Sequence, residues 1–242
     1  MHSTSSFHRP TEISPRELVA RLQGIPDFAD LSPHGLAAFA RVAAPRSFRK
    51  GDEILAEGVP ATSFFVMLDG RVKMVRALSN GRSALLALFG PGELFGTVAA
   101  LGGQPCEATI VALERSLCLQ VDQSDLMDLF EQRPRLVGEI LPLLTRQMVE
   151  CKNCLVEMTC YRVEMRFAQL LLKLADSVGS PEPEGTFIPV PLSRQELADM
   201  TGTTIETCIR VMSRWGKSGV VDTEKRGFLL RDRATLAMLA EV

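Results

Sequence analysis

Histidine is nearly absent: the 242 residues contain three, and two of them, His2 and His8, stand at the start of the chain. So thin a supply leaves little for His-based metal binding or acid–base catalysis. No apolar run approaches the roughly 18 residues that a membrane-spanning helix needs, and residues 1–14 carry no apolar signal-peptide core. An excess of one charge is missing too. Lys and Arg number 27 against 29 Asp and Glu, a net charge of -2, so nothing global advertises a nucleic-acid partner. There is no Ser–His–Asp set, no paired-carboxylate constellation and no phosphate loop, since Gly90-Pro91-Gly92-Glu93 reads as a turn. Enzyme chemistry is therefore disfavoured, and the expected setting is the cytoplasm, without a membrane partner.

What is present is enough apolar material, 46% of residues, to bury a sizeable core in one or two domains. Ser14-Pro15-Arg16-Glu17 suits the cap of a short helix through Leu18 and Leu22, within an otherwise flexible tail over 1–24. Ser32 followed by Pro33 starts a second helix carrying Leu36, Phe39 and Val42. From Arg46 the texture becomes β-like: short segments at 47–49, 63–68, 71–76, 83–89 and 108–121 alternate with Gly-containing turns. That rhythm predicts an antiparallel roll or sandwich over about 25–130, with Asp69-Gly70 as a hairpin turn.

From Ser124 the period becomes helical. Val137, Leu141, Leu144, Met148, Cys151, Leu155 and Met158 recur at alternating steps of four and three, an a/d seam on a long helix over 131–161. Behind a closed β-roll such a stripe is better explained as a two-fold dimer interface than as internal core. A further helix, about 163–177, carries Phe167, Leu170, Leu171 and Leu174; Pro181-Glu182-Pro183-Glu184-Gly185 reads as an exposed loop and 187–191 as a short strand.

The last segment, within 162–242, holds the most specific pattern. Ser193 and Glu196 form a capping box, Gly202 permits a tight turn, and Thr203 or Thr204 caps a second helix over 205–213. On that helix Ile209 and Met212 are expected inward, with Glu206 and Arg210 one turn apart on the opposite face. Segments 220–222 and 227–231 then make a hairpin wing. From Arg194 to Arg233 there are eight basic residues against six acidic ones, so phosphate binding depends on where the charges sit.

The run from Leu192 to Val221 resembles the helix-turn-helix of the CRP/FNR family, with Glu206-Thr207 and Arg210 matching its Glu-Thr…Arg pattern. The resemblance extends over most of the chain, through Lys50-Gly51, Glu57-Gly58, Phe65, Leu68-Asp69-Gly70-Arg71-Val72 and Gly90-Pro91-Gly92-Glu93-Leu94-Phe95-Gly96. It implies an α+β protein: an antiparallel β-roll like a cyclic-nucleotide-binding domain, a long dimerisation helix and a C-terminal winged helix-turn-helix. The implied partners are palindromic double-stranded DNA, a second copy of the chain and RNA polymerase. The implied DNA-facing set is Arg194, Thr204, Glu206, Thr207, Arg210, Arg214 and Lys217. Arg210 would donate to guanine, Glu206 accept from cytosine, and Arg194 hold a phosphate. Ile205 and Ile209 stand where several members use polar residues. They leave the half-site open and are suited to a thymine methyl.

The sensing end departs from the family. Members that bind cyclic nucleotides follow Phe-Gly with a Glu for the ribose, then use an Arg-Ser/Thr pair for the cyclic phosphate. Here Thr97 follows Phe95-Gly96, and Cys106-Glu107 stands in place of the pair. A carboxylate there repels the anion and the guanidinium fork is missing, which argues against cAMP or cGMP.

Thiols are offered instead. Cys151-x2-Cys154-x5-Cys160 has the spacing that holds a 4Fe–4S cluster in FNR-type oxygen sensors, although here it falls on the long helix rather than in an N-terminal loop. Convergence of all three on one cluster requires that helix to break near Thr159, because Cys160 otherwise points about 180° from Cys151. Cys106 with Cys151 and Cys154 is a second possible metal set, and Cys151 can also meet its symmetry mate. The open readings are an iron–sulfur or other thiolate-bound metal centre, a redox-switched thiol pair, and incidental cysteines with control by haem or another small ligand. Cys118 and Cys208 read as packed thiols. A ligand-binding or metal-storage module with no DNA role is the competing class.

Overall fold

An uninterrupted apolar run such as Phe64-Phe65-Val66-Met67 suits a strand buried on both faces. The computed structural model, which describes residues 13–79 and 81–241, places it so. The first of two compact units, Met1–Val149, contains two antiparallel four-stranded sheets. One has the order β1 (Ala43–Phe48), β8 (Ser116–Asp122), β3 (Ser63–Asp69), β6 (Leu94–Phe95). The other runs β2 (Glu53–Leu55), β7 (Thr109–Ala112), β4 (Val72–Ala77), β5 (Ser83–Phe89). Phe65 and Met67 lie between the sheets with Phe48, Phe95, Val72 and Ile110, and the Phe65 and Phe95 rings stack at 5.1 Å. Phe64 and Val66 face the opposite way, into a core filled by helices.

Those helices correct the expectation of a flexible tail over 1–24. Residues 1–12 lie outside the described residues, but α1 (Pro15–Gln23) is capped by Ser14, whose hydroxyl accepts from the Glu17 N–H at 3.2 Å, and it buries Leu18 and Leu22 in the main core. Its apolar stripe has a partner, so the segment folds. Next comes α2 (Pro33–Val42), which starts at the Ser32 cap with Pro33 in its first turn. After the roll, α4 (Gln123–Gln132) ends before Pro134, and α5 (Arg135–Cys160) follows.

Two turns behave differently from expectation. Asp69-Gly70 does not close a hairpin, because β3 pairs with β6 and β8, and β4 with β5 and β7. It carries the chain from one sheet to the other, and Gly70 (φ +80°) is needed there: a Cβ would stand 2.6 Å from the Arg115 carbonyl oxygen. Segment 108–121 is likewise two strands, β7 and β8, with a crossing between sheets at 113–115. A short helix, α3 (Thr97–Gly102), follows Gly96 where none was expected.

The start of α5 is fastened within this unit. Leu136, Ile140 and Leu143 enter the core, and the Glu139 carboxylate accepts from the Ser32 N–H at 2.9 Å and its hydroxyl at 2.8 Å. Arg146 pairs with Asp30 at 2.8 Å. Glu139→Ala leaves the Ser32 amide without this acceptor, and an expected loss of about 1–3 kcal/mol follows. Urea unfolding checks this: the midpoint should fall with the slope unchanged, whereas an unmoved midpoint denies the cap any contribution.

The second unit, Glu150–Val242, begins within α5 and continues through α6 (Val163–Val178). Its antiparallel sheet has the order β11 (Val221–Glu224), β12 (Gly227–Leu230), β10 (Gly185–Ile188), β9 (Ser180–Glu182). The expected loop at 181–185 is therefore a hairpin closed by a tight turn, with Phe187 paired on it. Between the strands lie α7 (Arg194–Met200) and α8 (Ile205–Lys217), and α9 (Arg233–Ala240) follows the sheet. Phe167 of α6 meets Trp215 of α8 edge-to-face at 6.4 Å. Among the described residues no helix is long and apolar enough to cross a membrane.

Candidate nucleic-acid interface

The local chemistry of α7 and α8 fixes which side chains point outward. Ser193 caps α7 reciprocally with Glu196: its hydroxyl accepts from the Glu196 N–H at 3.1 Å and its own N–H donates to Glu196 Oε2 at 2.9 Å. Thr201, buried, donates to the Leu197 carbonyl at 2.7 Å and closes the helix, and Gly202 (φ +59°) makes the turn. Thr204 is the second cap, accepting from the Thr207 N–H at 3.3 Å. Cys208, Val211, Met212 and Trp215 form the buried face of α8.

Ile209 is not on that face, contrary to expectation; it is 50% exposed, beside Glu206 and Arg210. The inward stripe is set by Trp215 and Cys208, seven residues apart, and Ile209 is about 100° from Cys208. An exposed apolar side chain thus lies next to an acceptor and a donor on the outward face. The Glu206 carboxyl is held below its ordinary range by its own backbone N–H and by the Thr204 hydroxyl, which keeps it an ionised acceptor.

The other expected contacts are placed unequally. Arg194 donates to the Thr223 hydroxyl on β11 at 2.7 Å, so its guanidinium is oriented along the wing. Arg214 is paired with Glu164 of α6 at 2.6 Å. Arg231 lies 2.5 Å from both Asp222 and Glu184, which hold its proton more tightly, and Arg233 pairs with Asp176. Arg210 and Lys217 remain exposed on α8. Two cations outside the expected set join them: Lys225 and Arg226, exposed at the tip of the β11–β12 turn. The signal that could have found them is a basic pair in the turn of the wing hairpin. The charge of this segment is therefore sorted by acidic partners, while Arg210, Lys217, Lys225 and Arg226 stand exposed on α8 and at the wing tip.

The cysteines separate into two kinds. Cys118 is fully buried, with its thiol pushed up to about 12 by burial, and lies 3.3 Å from the Met67 sulfur. Cys208, on the buried face of α8, is also raised by burial. Cys106 is buried beside Pro105, and burial, then the neighbouring Glu107, raises its thiol. Cys151, Cys154 and Cys160 are exposed. The helix that carries them runs unbroken to Cys160, so the break that a common cluster needs is absent and Cys160 faces about 180° away from Cys151. One chain's three helix thiols do not fit a shared iron–sulfur cluster, and among the described residues no three His, Cys, Asp or Glu side chains are grouped to hold a metal ion. His34, beside Arg133, is the described histidine; His2 and His8 lie outside the described residues.

The seam of α5 is an apolar strip in the single chain: Leu141 is 51%, Met148 62%, Leu155 61% and Met158 40% exposed. Leu144 is partly buried, and Cys151 is exposed between Met148 and Leu155.

Comparison with known proteins bears on both units. The family model described as a cyclic nucleotide-binding domain matches residues 45–133, and that of the Crp-like helix-turn-helix domain matches 165–239. The chain is 27% identical over 224 residues to the CRP-like cAMP-activated global transcriptional regulator of Mycobacterium tuberculosis, covering 93% of this chain and 99% of that protein. It is 27% identical to the cyclic AMP receptor protein of Thermus thermophilus, covering 90% and 98%. The structure of FixK2 from Bradyrhizobium japonicum superposes with a TM-score of 0.69 at 23% identity, over 83% of this chain and 98% of that one.

Proposed function

Because the chain belongs to the CRP/FNR family of transcription regulators, we propose that it acts as a homodimer reading a palindromic DNA site, controlled by its helix cysteines and not by cAMP. The carrying observation is the outward face of α8. Glu206, Ile209 and Arg210 present an acceptor, an apolar contact and a donor within one turn. In a major groove these suit a cytosine amine, a thymine methyl and a guanine edge respectively. Arg194, Lys217, Lys225 and Arg226 then supply the phosphate contacts that set register, and RNA polymerase is the machinery that such a bound dimer acts upon.

Two-fold association is supported by the exposed seam of α5, because a two-fold contact presents the same apolar strip from both copies. Control by cAMP is disfavoured by the Cys106-Glu107 pair and by Thr97, even though two of the relatives carry cAMP in their names. The thiols on α5 lie on the helix that the dimer shares, where a redox change alters how the two DNA-reading helices are held.

Fluorescence anisotropy with palindromic and half-site duplexes tests this reading. Expected are one dimer per palindrome, much weaker binding to the half-site, no response to added cAMP, and a response to reduction or oxidation. Binding that is insensitive to salt, or strengthened by cAMP, refutes it.

A further inference from the structure

In a two-fold parallel pair of helices, a residue on the axis meets its own copy. In the homodimer proposed above, Cys151 takes such a position. It lies on the a/d seam between Met148 and Leu155, both about three-fifths exposed in the single chain. Helices that pack through a seam approach to about 8–10 Å between axes, and each Cα lies about 2.3 Å from its axis. Facing seam residues thus bring their Cα atoms to roughly 3.4–5.4 Å, whose upper part overlaps the range of about 4.4–6.8 Å that a disulfide spans.

We propose that Cys151 and the partner subunit's Cys151 form a reversible disulfide across the two-fold axis, making the dimer helix itself the redox-sensitive element. This rests on the homodimer reading above. The oxidant class is a hydroperoxide. One Cys151 thiolate attacks the peroxide, the O–O bond breaks, and a sulfenic acid forms with release of water or an alcohol. The partner's Cys151 thiolate then attacks that sulfur; the S–S bond forms, the S–O bond breaks and water leaves. Two thiols have lost two electrons to one peroxide.

The other thiols do not serve this role. Cys154 is about 60° around the helix from Cys151, on the flank of the seam, so the two copies of Cys154 lie on opposite sides of the axis. Cys160 is turned about 180° from Cys151. Cys118 and Cys208 are buried in their own units.

The test uses the full chain, reduced and then treated with hydrogen peroxide, followed on non-reducing gels. The expected result is a thiol-reversible band at twice the chain mass in the wild type, in Cys154→Ser and in Cys160→Ser, and none in Cys151→Ser. Sedimentation of the reduced wild type separates the two layers of inference. A reduced dimer that fails to cross-link through Cys151, or that instead forms a Cys151–Cys154 bond within one chain, overturns the disulfide and leaves the homodimer standing. A reduced monomer removes the homodimer and the disulfide together.

Discussion

Leu155→Glu is expected to convert the protein to a monomer and to weaken binding to a palindromic site by about 10²–10⁴-fold, the advantage lost when two linked half-site contacts become one. Leu155 is 61% exposed in the chain taken alone, so a charge there costs the monomer's own fold little. Surface substitutions of this kind usually lie within about ±0.5 kcal/mol. In the dimer the same glutamate faces its symmetry mate in a closed apolar seam, where two like charges lose their water and repel. The two readouts therefore diverge: the variant still unfolds cooperatively, its midpoint lowered only by the lost association, while sedimentation shows the mass halved and binding to an isolated half-site is retained. A variant that stays dimeric places the dimer contact elsewhere. Leu143→Glu is the contrasting control, since Leu143 is buried within its own unit and its loss should unfold the chain rather than dissociate it.

That contrast shows how α5 could be read from sequence. Two stripes run along it, one of Leu136, Ile140 and Leu143 and one of Leu141, Leu144, Met148, Cys151 and Leu155. The heptad spacing identified the second stripe; that the first is consumed by core, with Glu139 tying it to the Ser32 cap, depends on contacts more than a hundred residues away in sequence. Signals that act over three or four residues were legible in the same way, as at Ser193 with Glu196, Thr204 and Ser32. Signals whose meaning depends on distant pairing were not. Asp69-Gly70 has the composition of a hairpin turn, yet whether its flanking strands pair with each other is decided by β8 and β7, which arrive some forty residues later. The sequence places Ile209 inward with Met212, but the buried face is filled by Cys208, Val211, Met212 and Trp215, a set that only the packed helix reveals. The sequence shows the capped helix through Leu18 and Leu22 but not what it packs on; the partners that take it out of a flexible tail are in α2 and the sheet. For the cysteines, spacing suggested a cluster, and the unbroken helix removed the convergence it needs.

Arg210→Ala is expected to lose about 1–3 kcal/mol at the cognate site, roughly 5–150-fold in affinity, and to relax the preference at a single base pair in each half-site. The side chain is exposed on α8, has no carboxylate partner among the described residues, and lies one turn beyond Glu206. Its removal therefore leaves the helix, its Thr204 cap and the Trp215 anchor intact. Lys225→Ala at the wing tip should behave differently. A phosphate contact carries no base identity, so affinity falls by a similar factor on every sequence, and the slope of log affinity against log salt drops by about one. Arg210→Ala should leave most of that slope in place while flattening discrimination. Anisotropy titrations of both variants on cognate and single-substituted duplexes, at several salt concentrations, tell the two apart. If Arg210→Ala weakens all duplexes equally and lowers the salt slope, Arg210 is a phosphate contact and the base reading passes to Glu206 and Ile209.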